Sequence, residues 1–147
     1  MRRNYVAIAL FMMAIAVALG AFGAHGLENK LNDHDMHTWD KATTYWVYVA
    51  LAVLGVVGFI QNKGADHLEA REEVRLKILG EKGRLFSGSL VLILLGAILF
   101  SGTLWLVATS NLTWPLLRKL GMITPIGGVL MIAGFSITGY RIWKMNR

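Results

Sequence analysis

Four long stretches of this chain carry no Asp, Glu, Lys, Arg or His, and they restrict the fold more than any other feature. The stretches cover residues 4–24, 42–62, 85–117 and 120–140. An α-helix needs about 20 apolar residues to cross the roughly 30 Å hydrocarbon core of a bilayer. Each stretch is long enough, and the third has residues left over for a loop. The sequence therefore predicts four spanning helices, at about 4–24, 44–60, 85–108 and 121–140.

The composition is also that of a membrane protein. Of the 147 residues, 55% are hydrophobic and 16% are charged, and the mean hydropathy is +0.51. A soluble domain of this size carries more charge. The apolar runs are unbroken, unlike the alternating segments of about 10 residues typical of spanning β-barrels. We therefore expect an all-α, integral membrane four-helix bundle that forms one domain over residues 1–147.

The charges outside the runs predict an orientation. Lys and Arg number two before the first run, six between the second and third, and three after the fourth, against two in each of the other loops. Positive residues accumulate on the cytoplasmic side. Both termini and the second loop are thus expected there, in the inner (plasma) membrane, or on the matrix side of a mitochondrial inner membrane in a eukaryote. The first run is expected to be an uncleaved span, because it exceeds a typical signal-peptide core.

Several chemistries are disfavoured by what the chain lacks. It has no Cys, so disulfides, thiolate metal sites and Cys-based redox relays are excluded. The net charge of +6 is explained by the residues that flank the helices, so nucleic acid is not an expected partner. The spans hold no ionisable residue, which argues against ion-coupled transport and against a b-type haem. No P-loop, dinucleotide-binding motif or nucleophile elbow is present. We expect no catalytic residue and no cofactor.

Small residues recur in three of the predicted helices, where they allow a second helix to approach closely. They are Ala14, Ala18, Gly20, Ala21 and Gly23 in the first helix, Ser101 and Gly102 in the third, and Gly127, Gly128 and Gly134 in the fourth. Pro125 is tolerable in the first turn of the fourth helix. The sequence predicts that Gly102→Leu or Gly128→Leu disrupts assembly.

Two connections are expected to form helices outside the bilayer core. In the first, Asp33 or Asp35 could cap a short amphipathic helix that places Met36, Trp39 and Thr43 on one face, lying on the outer membrane surface. Trp39, Tyr45, Trp46 and Trp114 would mark the outer interface. The second connection, 61–84, is the most charged part of the chain and is expected to be a solvated or interfacial helix on the cytoplasmic side.

Four motifs carry a resemblance to a known family. They are GAFGAHGL at 20–27, the spaced Thr38, Trp39, Ala42, Tyr45 and Tyr48, LFSGTLW at 99–105 and GMITPIGG at 121–128. With them the chain resembles the domain of unknown function 423 family, which includes transmembrane protein 256-like and YgdD/YwdK-like proteins. The resemblance implies a four-span inner-membrane or mitochondrial protein and supplies no established activity. The motif residues are Gly20, Gly23, His25, Gly26, Trp39, Tyr45, Ser101, Gly102, Thr124, Pro125, Gly127 and Gly128.

The chain departs from that family at two places. Members tend to carry a His after the second Tyr of the spaced motif, where this chain has Val49, so a role that needs this imidazole is not expected. The second loop is also longer than is usual. Residues 66–82 therefore resemble an addition, and an added cytoplasmic helix suits docking better than catalysis.

Three histidines are the remaining candidates for chemistry. His25 could ligate a metal or contact a headgroup or quinone, but donation to a nearby carbonyl that fixes the turn between Gly23 and Gly26 is favoured, since one imidazole makes no metal site. His34 and His37 share one side of a helix and could hold zinc or copper with the neighbouring acids. Capping and solvation explain the same residues, and no metal site is assigned.

Three classes of function fit these observations. The favoured one is an accessory or structural subunit that contacts the lipid bilayer and packs against other membrane protein subunits or against itself. The alternative is a small transporter or carrier of a neutral or lipidic molecule, with a cavity lined by Ser101, Thr103, Thr109 and Thr124. An enzyme or cofactor-binding protein is less favoured, because it requires His25 and Trp39 to converge.

Overall fold

Within the residues that the structure describes, the chain forms four long helices, as the uncharged runs predict. A computed structural model describes the backbone of residues 2–65 and 72–145 and the side chains of residues 4–60 and 86–144. No strand occurs in those ranges. The elements are α1 (Arg2–Phe22), a π-helical turn (Gly23–Leu27), α2 (Asp33–Ala65), α3 (Glu72–Ala108), a 3-10 helix (Pro115–Met122) and α4 (Thr124–Met145). The four helical segments long and apolar enough to cross a bilayer are Asn4–Leu27, Asp33–Ile60, Phe86–Ala108 and Pro115–Lys144. The prediction of an all-α, four-span membrane protein is confirmed, whereas its orientation stays a prediction.

Two helices extend well beyond the apolar runs. Helix α2 begins at Asp33, so the segment expected to form a separate helix on the membrane surface is instead the first three turns of α2. Helix α3 begins at Glu72, and its first turns form part of the predicted second-loop helix. Residues 66–71 of that loop lie outside the described residues. Extending an existing helix is easier than nucleating a new one, which accounts for the continuity.

The helices pack in chain order. Within the described residues α1 packs along α2, α2 along α3 and α3 along α4, and no other pair of the four helices packs extensively. The shared core is contributed mainly by the first three helices, and α4 adds one buried hydrophobic residue. This core consists of Ala9, Met12, Ala16, Trp46, Val49, Ala50, Val53, Val57, Leu90, Ile93, Ala97 and Met131. Helix α4 is thus attached to the bundle essentially through α3.

The contact between α3 and α4 is a narrow stripe with a spacing of three and four residues. On α4 the buried positions are Thr124, Gly127, Met131, Gly134 and Thr138. A Cβ built on Gly127 would lie 2.5 Å from the Phe100 backbone nitrogen and 2.8 Å from the Gly96 carbonyl oxygen. The two backbones therefore touch, and any side chain at Gly127 would separate them. Such alternating spacing with small residues is typical of closely packed membrane helices.

Three other glycines that the sequence singled out make no such close approach to a second helix within this chain. No atom lies within 4 Å of a Cβ built on Gly20 or Gly102, and at Gly128 the nearest atom is Phe100 Cδ2 at an ordinary 3.7 Å. The expectation that Gly102 marks a close contact is wrong for contacts inside the chain, because its face of α3 meets no neighbour there. A role against another molecule stays a prediction.

Candidate functional site

A cluster of bonded polar side chains lies around Asp35, where the ends of the four helices meet, and we call this region the Asp35 end. The Asp35 side chain is 2% exposed, although it is ionisable. Its Oδ2 accepts hydrogen bonds from Asn111 Nδ2 at 2.7 Å and from Asn32 Nδ2 at 2.9 Å, and its Oδ1 lies 3.5 Å from Arg118 Nη2. Buried carboxylates require such partners, since an unpaired buried charge is strongly destabilising.

Asn32 caps the first turn of α2. Its Oδ1 accepts a hydrogen bond from the backbone N–H of Asp35 at 2.9 Å, while its own amide group donates back to the Asp35 carboxylate. This reciprocal pair is a variant of the capping box. The sequence suggested Asp33 or Asp35 as the cap, and that interpretation is wrong because Asn32 occupies the cap position.

The Asp35 carboxylate also joins the loop between α3 and α4 to the rest of the bundle. Asn111 lies just after α3, and Arg118 lies in the middle of the 3-10 helix. Their bonds to Asp35 connect residues that are 76 and 83 positions away in the chain. Arg118 keeps 55% of its side chain exposed, so the ion pair is covered by protein only on the Asp35 side. We call Asn32, Asp35, Asn111 and Arg118 the Asp35 clasp.

Three tryptophans pack beneath the clasp. Ring centroids of Trp39 and Trp105 are 6.2 Å apart, and those of Trp46 and Trp105 are 5.3 Å apart. Trp39 donates its indole N–H to the Leu19 carbonyl at 3.1 Å, and Trp46 donates to the Met12 carbonyl at 3.0 Å. The rings fill the space between α1, α2 and α3, and their polar atoms are all bonded. Placing Trp39 and Trp46 at the lipid interface was wrong, because both are buried.

Hydroxyl groups complete the bonding of this tryptophan cluster. Trp105 donates its indole N–H to Thr43 Oγ1 at 3.2 Å, and the Thr43 hydroxyl donates to the Trp39 carbonyl at 3.1 Å. Two buried hydroxyls, those of Ser101 and Ser110, have no hydrogen-bond partner among the described residues. Thr103 and Thr124 bond to each other at 2.8 Å across the α3–α4 contact.

The GAHGL motif forms the π-helical turn at the end of α1. A Cβ on Gly23 would lie 2.6 Å from Trp39 Nε1, so this position must be glycine for the indole to reach α1. A Cβ on Gly26 would lie 2.8 Å from the Phe22 ring. His25 is exposed and forms no hydrogen bond to a described residue. The motif therefore accommodates aromatic rings and does not direct its imidazole into the bundle.

The remaining candidates lie apart from one another. His34 and His37 are exposed on α2, and no group of three metal-ligating side chains occurs in the described part of the chain. Tyr45 is partly exposed and packs on Phe100 with ring centroids 4.9 Å apart. Pro125 lies in the first turn of α4. His25 is exposed and Trp39 is buried, so the two do not converge.

Sequence reasoning missed the Asp35 clasp. Its residues come from the start of α2 and from the connection between α3 and α4, which four antiparallel spans must place at the same end of the bundle, and Asp35 and Arg118 carry opposite charges. That topology, with the two opposite charges, is sufficient to suggest an ion pair between Asp35 and Arg118. The burial of Asp35 could not be read from the sequence, because it depends on how closely the loops meet.

Comparisons with known proteins agree on one family. A family model described as protein of unknown function (DUF423) matches residues 19–128, a range that includes every residue of the Asp35 clasp. A UPF0382 membrane protein of Staphylococcus epidermidis is 39% identical over 123 residues, covering 84% of this chain and 81% of the relative. One of Staphylococcus aureus is 37% identical over 121 residues, covering 82% and 80%. No solved structure matches the chain. The chain is a multi-pass membrane protein and belongs to the DUF423 family.

Proposed function

We propose that this protein is an accessory or structural subunit of the bacterial cytoplasmic membrane, in which α1 packs against another membrane protein subunit or a second copy. One observation carries the proposal. Helix α1 contacts α2 through Ala9, Met12 and Ala16, while its opposite side exposes a row of alanines. At 100° per residue, these alanines lie within about 60° of one another on the side opposite the contact with α2, and the exposed Phe11 borders them. The row consists of Ala7, Ala14, Ala18 and Ala21.

Small residues on an exposed face of a spanning helix favour contact with another helix. Lipid tails are as apolar as a Leu side chain, so association in a bilayer depends on close backbone approach. Helix α1 therefore packs against α2 on one side, and the alanines on its opposite side would allow a neighbouring helix to approach closely, which supports the proposal.

The bonding of the Asp35 end supports a structural role. The Asp35 carboxylate is engaged by side chains of its own chain, and the indole N–H groups of Trp39, Trp46 and the partly buried Trp105 are satisfied by carbonyls or by Thr43. These groups hold the helices and loops together, which supports a structural role. The hydroxyls of Thr103 and Thr124, suggested for a carrier, bond to each other.

Disulfide cross-linking tests the proposal directly, because the chain has no native Cys. Ala14→Cys and Ala18→Cys place a thiol on the alanine row, and Ile15→Cys places one on another exposed face of the same helix. In native membranes at native expression, we expect an oxidant to cross-link the two alanine-row variants to a second copy, or to a partner that carries an accessible Cys. The Ile15 variant should stay monomeric. Absence of adducts from the alanine row, or equal adducts from all three, contradicts the proposal.

A further inference from the structure

We infer that the outward row of the 3-10 helix, Leu116, Lys119 and Met122, is a phospholipid-binding anchor, with Lys119 pairing with a lipid phosphate and the two apolar side chains entering the acyl boundary. The inference is independent of the proposed function, since it requires no protein partner. The row lies in the connection between α3 and α4, and its occupant is a phospholipid.

The geometry of the 3-10 helix separates three rows of side chains. Such a helix has three residues per turn, so positions i, i+3 and i+6 align. Residues 117, 120 and 123 are half-buried against the bundle. Arg118 belongs to the second row and pairs with Asp35 at 3.5 Å. The third row, residues 116, 119 and 122, faces away from the bundle and from Asp35.

The third row is largely apolar and exposed, and it lies at the start of the spanning segment Pro115–Lys144. Leu116 is 69% exposed and Met122 is 78% exposed, among the highest values for large hydrophobic side chains in the described residues. Lys119 lies between them and is also exposed. An apolar row interrupted by one long cation suits the membrane interface, where a Lys stem can lie along apolar surface while its ammonium group reaches the headgroups.

The position of the row along the chain matches the headgroup layer. The uncharged run 120–140 spans roughly 31 Å when 3-10 residues rise about 2 Å and α-helical residues about 1.5 Å, which equals the hydrocarbon core. Met122 therefore lies at the edge of the core. Leu116 precedes Leu120 by four residues, about 8 Å along a 3-10 helix, so it lies within about that distance of the edge of the core. The row therefore lies in the headgroup layer or at its acyl boundary.

Charge favours lipid phosphate over a neutral partner. The Arg118 guanidinium is paired with the Asp35 carboxylate, which leaves Lys119 as the cation of the outward row. The ion pair also fixes the rotation of the 3-10 helix, because it holds the Arg118 row towards α2. Asp35 is thus a positioning residue for the anchor.

Depth measurements with a fluorescent label test the inference. Single-Cys variants L116C, M122C and H34C of the full chain are labelled with bimane and reconstituted into vesicles of phosphatidylcholine and phosphatidylglycerol with brominated acyl chains. His34 is exposed in the first turns of α2 and serves as the control. We expect bromine to quench bimane at 116 and 122 at least twofold more than at 34. Iodide in the water should quench the label at 34 most.

Each other outcome overturns the inference. Iodide quenching at 116 and 122 without bromine quenching places the row in water. Protection from both quenchers shows that protein covers the row, either a second copy or a different partner. Equal bromine quenching at all three positions shows that the row lies no deeper in the bilayer than the rest of the Asp35 end and contradicts the inference.

Two further variants test the roles of the charges. In L116C, adding Lys119→Glu should reduce bromine quenching in phosphatidylglycerol vesicles, whereas Lys119→Arg should not. Adding Asp35→Ala should make quenching at 116 and at 34 converge while circular dichroism stays helical. If Lys119→Glu leaves the depth unchanged, phosphate pairing is wrong. If a helical Asp35→Ala variant keeps the original depth, the positioning role of Asp35 is wrong.

Discussion

The indole N–H of Trp39 donates to the Leu19 carbonyl 3.1 Å away, which ties the second turn of α2 to the last turn of α1. Gly23 makes this possible, because a Cβ there would lie 2.6 Å from the same indole nitrogen. A motif near the end of the first span is thereby coupled to a tryptophan in the next helix.

Gly23→Ala should displace Trp39 and weaken the α1–α2 contact. Overpacking of this kind lowers the free energy of unfolding by about 1–3 kcal/mol. Gly20→Ala is the matched control, since nothing lies within 4 Å of its Cβ position. Unfolding by SDS in mixed micelles, followed by tryptophan emission, measures both variants. Equal stability of the two would contradict a packing role for Gly23.

Gly127→Ala should separate α3 from α4. The added methyl group would overlap the Phe100 backbone, which cannot rotate away as a side chain can. We expect a loss of at least about 1–3 kcal/mol in the free energy of unfolding. Gly102→Ala, which meets open space, should be neutral or slightly stabilising because Ala is favoured over Gly in helices. The same SDS titration distinguishes them, and a destabilised Gly102→Ala would point to a contact with another molecule.

Asp35→Asn should destabilise the Asp35 end. The substitution removes the charge that faces Arg118 and places an amide donor among the amides of Asn32 and Asn111. Breaking a buried, bonded charge pair costs about 3–5 kcal/mol when the charge is fully buried, and less here because Arg118 is half exposed. Asp33→Asn removes an exposed acid from the same helical turn and controls for the helix dipole. Comparable unfolding free energies for the two variants would show that the clasp contributes little.

The hydrogen bond between Thr103 and Thr124 should give a measurable coupling energy. A double-mutant cycle with Thr103→Val and Thr124→Val should yield about 0.6 kcal/mol, the average for such bonds between membrane helices. Thr138 lies on the same α3–α4 contact, but its hydroxyl donates to the Gly134 carbonyl of its own helix. A cycle of Thr103→Val with Thr138→Val should therefore give a coupling near zero. A coupling energy of similar size in both cycles would mean that the whole α3–α4 contact, and not the hydrogen bond between Thr103 and Thr124, produces the coupling.

The predicted orientation is open to a direct test. A Cys introduced at Asn29, in the connection between α1 and α2, should react with a membrane-impermeant maleimide in intact cells. A Cys at Lys144, near the end of α4, should react only after the cells are permeabilised. The reverse pattern would show that the Lys and Arg distribution does not set the topology of this chain.

The sequence determined the number and approximate position of the spans. Uncharged runs of about 20 residues leave no other way to satisfy the backbone in lipid, because each N–H and C=O must be bonded within its own helix. The closeness of α3 and α4 was also suggested by Gly127 and Gly134 at helical spacing. Helix bounds were less predictable, since α2 and α3 continue past the apolar residues that revealed them.

Only the tertiary structure decided which small and polar residues have internal partners. Gly102 and Gly127 are alike in sequence, yet one meets open space and the other meets a backbone, because contact depends on the rotation of each helix against its neighbours. Asp35 is a buried partner of Asn111 and Arg118 because the start of α2 and the connection between α3 and α4 meet at one end of the bundle. The residues of each apolar run specify their helix locally, whereas contacts between helices depend on how the four helices pack against one another.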